Sequence, residues 1–165
     1  MNKTELIVDR LKTARRWTQE LLADIEESAW FEMPAPGVNH VAWQVGHLAA
    51  SQVALIHVRC CEQNAEDCLP TGFKDCFGRG STPVSDSAAY PPISEIRVVF
   101  DRIQNEAIER ITALPDSEWT REVGPPPHPM FTTKEGAIAT AVMHETFHAG
   151  QIALLRRFFG KAALR

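Results

Sequence analysis

A chain of 165 residues, 44% hydrophobic and 23% charged, has the composition of an ordinary globular protein long enough to bury a full core. With a net charge of −4 and no run of consecutive basic residues longer than a pair such as Arg156-Arg157, which Lys161 and Arg165 follow, it lacks the concentrated positive surface that tracks nucleic-acid phosphates. No stretch approaches the roughly 20 apolar residues of a membrane span, and Met1-Asn2-Lys3-Thr4-Glu5 leads straight into a charged helical pattern rather than a signal peptide, so a cytoplasmic protein is expected.

The first helix is predicted from about Asn2 to Ser28, where Leu6, Ile7, Leu11, Ala14, Trp17, Leu21, Leu22 and Ile25 recur at steps of three and four. Met33-Pro34-Ala35-Pro36-Gly37 breaks it. The second helix is predicted from Asn39, a suitable N-cap, to about Cys61. A loop of about thirty residues follows, punctuated by Gly72, Gly78, Gly80, Pro83, Pro91 and Pro92; loops of that length are often functional or carry short helices of their own. The third helix is predicted from Ile93 to just before Pro115, with Ile96, Val99, Phe100, Ile103, Ala107, Ile108 and Ile111 on its apolar side. Beyond a stiff linker, Gly124-Pro125-Pro126-Pro127-His128-Pro129, the fourth helix is predicted to open on a capping box from Thr132 to Glu135 and to end at Gly160. No strand alternation, internal repeat or domain boundary is visible. The expected fold is one all-α domain over residues 1–165, a four-helix bundle with a long crossover loop between the second and third helices. Cys60, Cys61, Cys68 and Cys76 form no CxxC pair; free thiols are expected, with a Cys68–Cys76 disulfide or a redox role as the alternative.

The chemistry concentrates in His144-Glu145-Thr146-Phe147-His148-Ala149-Gly150-Gln151. Two histidines four apart lie one helical turn apart on one face and can reach one metal ion. On a helical wheel they share a stripe with Ala137, Ala141, Gln151, Ile152, Leu155 and Phe159, which should face the core. On the second helix His40, Trp43, His47, Ser51, Ala54 and Val58 share another stripe, so His47 completes a three-histidine site if the two helices are neighbours. His40 belongs to the helix entry, with a substitute ligand or ligand-orienting group as the alternative. His57, off the stripe, and His128, in the linker, are expected to have no part in the site.

The string also spells HExxH, the zinc-protease pattern in which the Glu is the general base. That reading fails downstream. Between Ala149 and Arg165 there is no His, Asp, Glu or Cys, and Leu154 stands where a metzincin would place its third His. Glu145 is therefore either a base or orienting group at the metal, or a salt-bridge or dimer contact. Gln151 either orients a ligand or bonds a neighbouring helix, and Trp43 either packs or walls a substrate pocket. A second apolar flank of the fourth helix, through Met143, Phe147, Leu154 and Phe158, must also be covered, by a second copy of the chain or by the long loop.

Two motifs carry a family resemblance. Asn39-His40-Val41-Ala42-Trp43-Gln44-Val45-Gly46-His47-Leu48 resembles the W-x-x-x-H-L segment of the DinB-like superfamily, also called the DinB/YfiT-like metalloenzymes, and His144 to Ile152 resembles its H-x-x-x-H-x-G-Q signature. The tract Phe77-Gly78-Arg79-Gly80-Ser81-Thr82-Pro83 is similar to loops in some members. The resemblance implies an up-down-down-up bundle, often dimeric, with a divalent metal, commonly nickel or zinc, held by His47, His144 and His148. It also implies thiol-dependent chemistry, since relatives include transferases that use mycothiol or bacillithiol. Imidazole ligands suit zinc, nickel and iron alike. The functions expected are, in order, a metal-dependent transferase joining a low-molecular-weight thiol to a small substrate, a hydrolase that activates water at the metal, and a non-catalytic metal-binding or interaction protein.

Overall fold

The computed structural model describes residues 1–124, 126 and 128–164; Pro125 and Pro127 of the expected stiff linker, and Arg165, lie outside them. Four long helices, α1 (Lys3–Leu22), α2 (Val41–Gln52), α5 (Ile93–Thr112) and α7 (Lys134–Phe158), form the body, with short helices α3 (Ala65–Cys68), α4 (Phe73–Phe77) and α6 (Asp116–Trp119) between them. Among the described residues extended pairing is limited to two isolated bridges, Glu122 with Thr133 and His128 with Phe131. The long helices pack in the cyclic order α1, α7, α2, α5, so the expected all-α architecture holds and α2 and α7 are neighbours. No helix among the described residues is long and apolar enough to cross a membrane.

Local chemistry sets the helix ends. Asn2 and Glu5 cap α1 reciprocally: the Asn2 side chain accepts from Glu5 N at 2.8 Å and the Glu5 carboxylate from Asn2 N at 2.9 Å. The helix stops at Leu22, short of the predicted Ser28. Just beyond it Asp24 accepts from Nε and Nη2 of Arg156 on α7, at 2.9 and 2.6 Å, which turns the chain away while Ile25 still reaches the core. The buried side of α1 is Leu11, Ala14, Arg15, Thr18, Leu21 and Leu22, narrower than predicted, because Leu6 and Trp17 are both exposed.

The cap of α2 is His40 rather than Asn39: its Nδ1 accepts from Trp43 N at 3.0 Å. After Gln52 the helix widens into a π-helical turn, Val53–Val58, which changes the phase a regular wheel assumes and buries His57 completely. At α7 the cap is Thr133, not Thr132, accepting from Gly136 N at 3.3 Å, while Glu135 pairs instead with Lys3. The far end follows expectation: Gly160 takes a φ of 73°, open to glycine without strain, and Lys161 N bonds back to Arg156 O.

The long crossover carries the short helices its length suggested. Phe73 and Phe77 are buried against α2, and the four cysteines remain free thiols. The loop therefore covers α2, and Met143, Phe147, Leu154 and Phe158 of α7 stay exposed. The closest approach is over Gly46, where an added Cβ would lie 2.4 Å from Phe77 Cγ. Because that ring is fully buried it has little room to yield, so Gly46→Ala is expected to destabilise the fold by about 1–3 kcal/mol. A thermal unfolding midpoint several degrees lower checks this; an unchanged midpoint would mean the loop is not pinned there.

Candidate metal centre

Three imidazoles meet where α2 faces α7. The ligand nitrogens of His47, His144 and His148 all lie within 4.8 Å of one another. Their ring centroids are separated by 5.2 Å (47 to 144), 5.0 Å (47 to 148) and 4.4 Å (144 to 148). Two features of the sequence make this possible: the four-residue step on α7, and a run of buried small residues, Gly46, Ala49, Ala50, Ala141 and Ala149, around the crossing. His47 and His148 are buried and His144 is half-buried, so the cluster has an open side at His144.

Burial keeps these rings neutral. It pushes His148 down to about 3, helped by repulsion from His144 and His47, and His144 down to about 4, with Glu145 opposing. His47 is lowered by the same burial against the pull of the Phe77 carbonyl. Neutral imidazoles with free nitrogen lone pairs are the form a divalent metal needs.

The surroundings also fix which nitrogen faces inward. His47 donates from Nδ1 to Phe77 O at 2.7 Å, leaving Nε2 as the free lone pair, against which Ser51 Oγ rests at 3.2 Å. Trp43 stacks on the His47 ring, 4.4 Å away and 9° from parallel, and is itself held by Ser81 Oγ at 2.8 Å. His148 donates from Nδ1 to Gln44 Oε1 at 2.5 Å, and Gln44 donates from Nε2 to Gln151 Oε1 at 2.8 Å. Such outer partners set the tautomer and aim of a ligating histidine. The donor set, the two inward-turned rings and the neutral state all fit a divalent ion. Gln44→Ala, which releases the His148 ring, is expected to weaken metal affinity about 10–100-fold, measurable by competition with a chelator; unchanged affinity would mean Gln44 does not aim the ligand.

The other residues singled out by sequence find different places. Gln151 bonds the neighbouring helix through Gln44 and so braces the ligand support. Trp43, almost fully buried, packs on the His47 ring. Glu145 is turned toward α1, where Arg15 donates from Nε to Oε1 at 2.8 Å and from Nη2 to Oε2 at 3.1 Å. That engages both carboxylate oxygens with Arg15, the salt-bridge alternative for Glu145. His40 serves the helix entry, its ring 5.0 Å from Tyr90; His57 bonds Gln63 at 3.2 Å; His128 stacks on Phe131 at 4.0 Å; none joins the cluster. Gln44 and Arg15 are the residues sequence reasoning missed. The signal was there in each case, a polar residue inside a stretch otherwise fit for the core, with Gln44 one turn before His47.

The family model of the DinB superfamily matches residues 10–152. A crystal structure of the conserved protein of a locus from Enterococcus faecalis superposes with a TM-score of 0.70 over 98% of this chain and 99% of that one, at 19% identity, a likeness of fold alone. No curated protein matches the chain. Helices, histidine cluster and family match agree, and this chain belongs to the DinB superfamily.

Proposed function

We propose that this chain is a cytoplasmic, metal-dependent transferase that joins a low-molecular-weight thiol to a small electrophilic substrate. His47, His144 and His148 would hold a zinc, nickel or iron ion. The observation that carries the reading is the donor set itself: three neutral imidazoles, joined by no other His, Cys, Asp or Glu among the described residues, with His144 only half-buried. A site of three protein ligands with a free position is the catalytic rather than the structural pattern. The bound ion would supply Lewis acidity and favour the thiolate form of a coordinating thiol.

Two further facts support thiol over water as the nucleophile. Among the described residues no carboxylate joins the cluster to take a proton from water, and Glu145, the nearest in sequence, is paired with Arg15. A thiol needs less help, since its pKa is already near 8.5 and its proton can leave to solvent. Nor does the chain supply a thiol of its own: Cys60, Cys61, Cys68 and Cys76 lie outside the cluster, and burial raises each of them, Cys60 to about 12. The sulfur must therefore arrive on a small molecule. In the step envisaged, the sulfur–carbon bond forms as the bond to the leaving group breaks. A second copy of the chain, seated on the exposed flank of α7, completes the proposal.

The test is turnover by the metal-loaded protein with an alkyl or aryl halide and added small thiols, read as thioether formed. Thioether formation that requires both metal and thiol is expected. Release of the leaving group at the same rate without thiol would favour the hydrolase instead, and no turnover of either kind across a panel of thiols would leave a metal-binding protein.

A further inference from the structure

We infer that two copies of this chain pair antiparallel along α7, each seating Phe147 in the groove beside the second copy's Gly150; this rests on the homodimer of the reading above. Between Glu135 and Arg157 the exposed residues of α7 are Ala139, Met143, Thr146, Phe147, Gly150 and Leu154, with no charge among them. Met143 is 59% exposed, Phe147 62%, Leu154 49% and, one turn on, Phe158 50%. The positions 143, 147, 150, 154 and 158 advance by four, three, four and four, the spacing of a helix-pairing seam.

The seam complements itself. A two-fold axis passing between residues 148 and 149 sets 147 against 150, 143 against 154 and 139 against 158, as an isologous contact requires. Phe then meets Gly, Met meets Leu and Ala meets Phe, so bulk faces space or a side chain it can interdigitate with. Gly150 leaves that space open: an added Cβ would meet nothing within 4 Å. Beside it, Trp17, Leu21, Gly150 and Ala153, together with Arg156 and the tail residue Leu164, line a groove of about 180 Å³ among α1, α7 and the C-terminal tail. A cavity of roughly 150 Å³ holds a benzene ring, so the groove has room for the ring of Phe147.

Charge selects the direction. Antiparallel pairing puts the two copies of Arg157 at opposite ends of the seam, roughly 25 Å apart along the axis, whereas parallel pairing would set them side by side. The area is also adequate. Trp17, Met143, Phe147, Leu154 and Phe158 expose on the order of 100 Å² each, about 500 Å² of apolar surface per copy. That lies near the top of the range for patches on monomers, about 300–600 Å², and with its polar margin it approaches the ~800 Å² per partner of a stable interface. The seam also borders the histidine cluster, since Phe147 stands edge-on to His148 at 5.4 Å between centroids.

The mass in solution is the first measurement. Wild-type protein at micromolar concentration is expected at about twice 18.4 kDa by light scattering. An added Cβ at Gly150 meets nothing within 4 Å, so Gly150→Leu can place its side chain in the groove without a clash at Cβ; it should stay folded with an equal or higher unfolding midpoint and become monomeric. The register is read from Met143→Cys/Leu154→Cys in a background with Cys61 and Cys76 changed to Ser. Mild oxidation should link the double variant into covalent dimers and leave the Met143→Cys single variant unlinked. A monomeric wild type overturns the dimer and the seam together. A dimer that survives Gly150→Leu, or that cross-links through Met143→Cys alone, overturns the seam and leaves the dimer standing. Metal content, measured separately, speaks to the three-histidine reading and is untouched by any of these results.

Discussion

His148→Ala is expected to strip the chain of its metal, taking elemental analysis after dialysis from about one ion per chain to a residual trace. The ring lost is the most buried in its chemistry, pushed down to about 3, and the one held by the Gln44–Gln151 relay. Losing a ligand outright should exceed the ~10–100-fold loss that follows when only an orienting partner is removed. Two nitrogens one helical step apart or across a helix crossing do not replace three. His128→Ala, in the loop before α7, is the control and should leave loading unchanged. The pH profile supplies a second reading of the same site. Solvated imidazoles near 6.5 would be half protonated by that pH and would surrender metal there. Here burial lowers all three, His144 to about 4 and His148 to about 3, so the two rings on α7 stay neutral as pH falls through 6 and 5. Loading should therefore persist at pH 5.5 and fail only as pH drops toward 4. Half-loss near pH 6.5, or full metal in His148→Ala, would be incompatible with a buried three-histidine site.

The three-histidine cluster was legible because the rule behind it is local. A four-residue step puts His144 and His148 on one face whatever the rest of the chain does, and the tail after His148 holds no third ligand, which sends the eye upstream to His47. The helices were legible for the same reason, as was Gly160. What escaped needed partners distant in sequence. The end of α1 at Leu22 is set by Arg156, 132 positions from Asp24, and no periodicity announces that pair. The support under His47 is a backbone carbonyl of Phe77, an atom every residue possesses, placed only when the crossover loop folds onto Gly46. The π-helical turn after Gln52 likewise breaks the regular wheel, and His57, off the histidine stripe as expected, is nonetheless fully buried there. Arg15 was the plainest loss: a charged residue within an apolar face reads as an interruption until the acid that answers it is brought across the bundle.

That acid is Glu145, and Glu145→Ala is expected to destabilise the fold by about 3–5 kcal/mol, the cost of leaving a buried charge without its partner. Arg15 is 4% exposed and Glu145 also 4%, so water cannot step in for either. The guanidinium is locked on every side: it donates to both Glu145 oxygens, to Phe100 O at 2.6 Å and to Gln52 Oε1 at 3.2 Å, and it lies 3.4 Å above the Phe100 ring. Gln52 in turn donates to Gln104, which donates to Leu11 O, so the pair anchors a network joining α1, α2, α5 and α7. Set against a total stability of about 5–15 kcal/mol, the loss should lower the unfolding midpoint by roughly 6–20 °C. Arg15→Met combined with Glu145→Leu should recover much of it, since an apolar pair of similar bulk carries no desolvation penalty, although Gln52 then loses a donor. Glu145→Gln separates the structural role from a catalytic one. A base at the histidines would, when replaced by its isosteric amide, lose turnover with little change in stability. A residue whose work is to hold Arg15 should instead lose stability while metal content in the folded protein is kept, and it is this second outcome that the geometry of the buried pair requires.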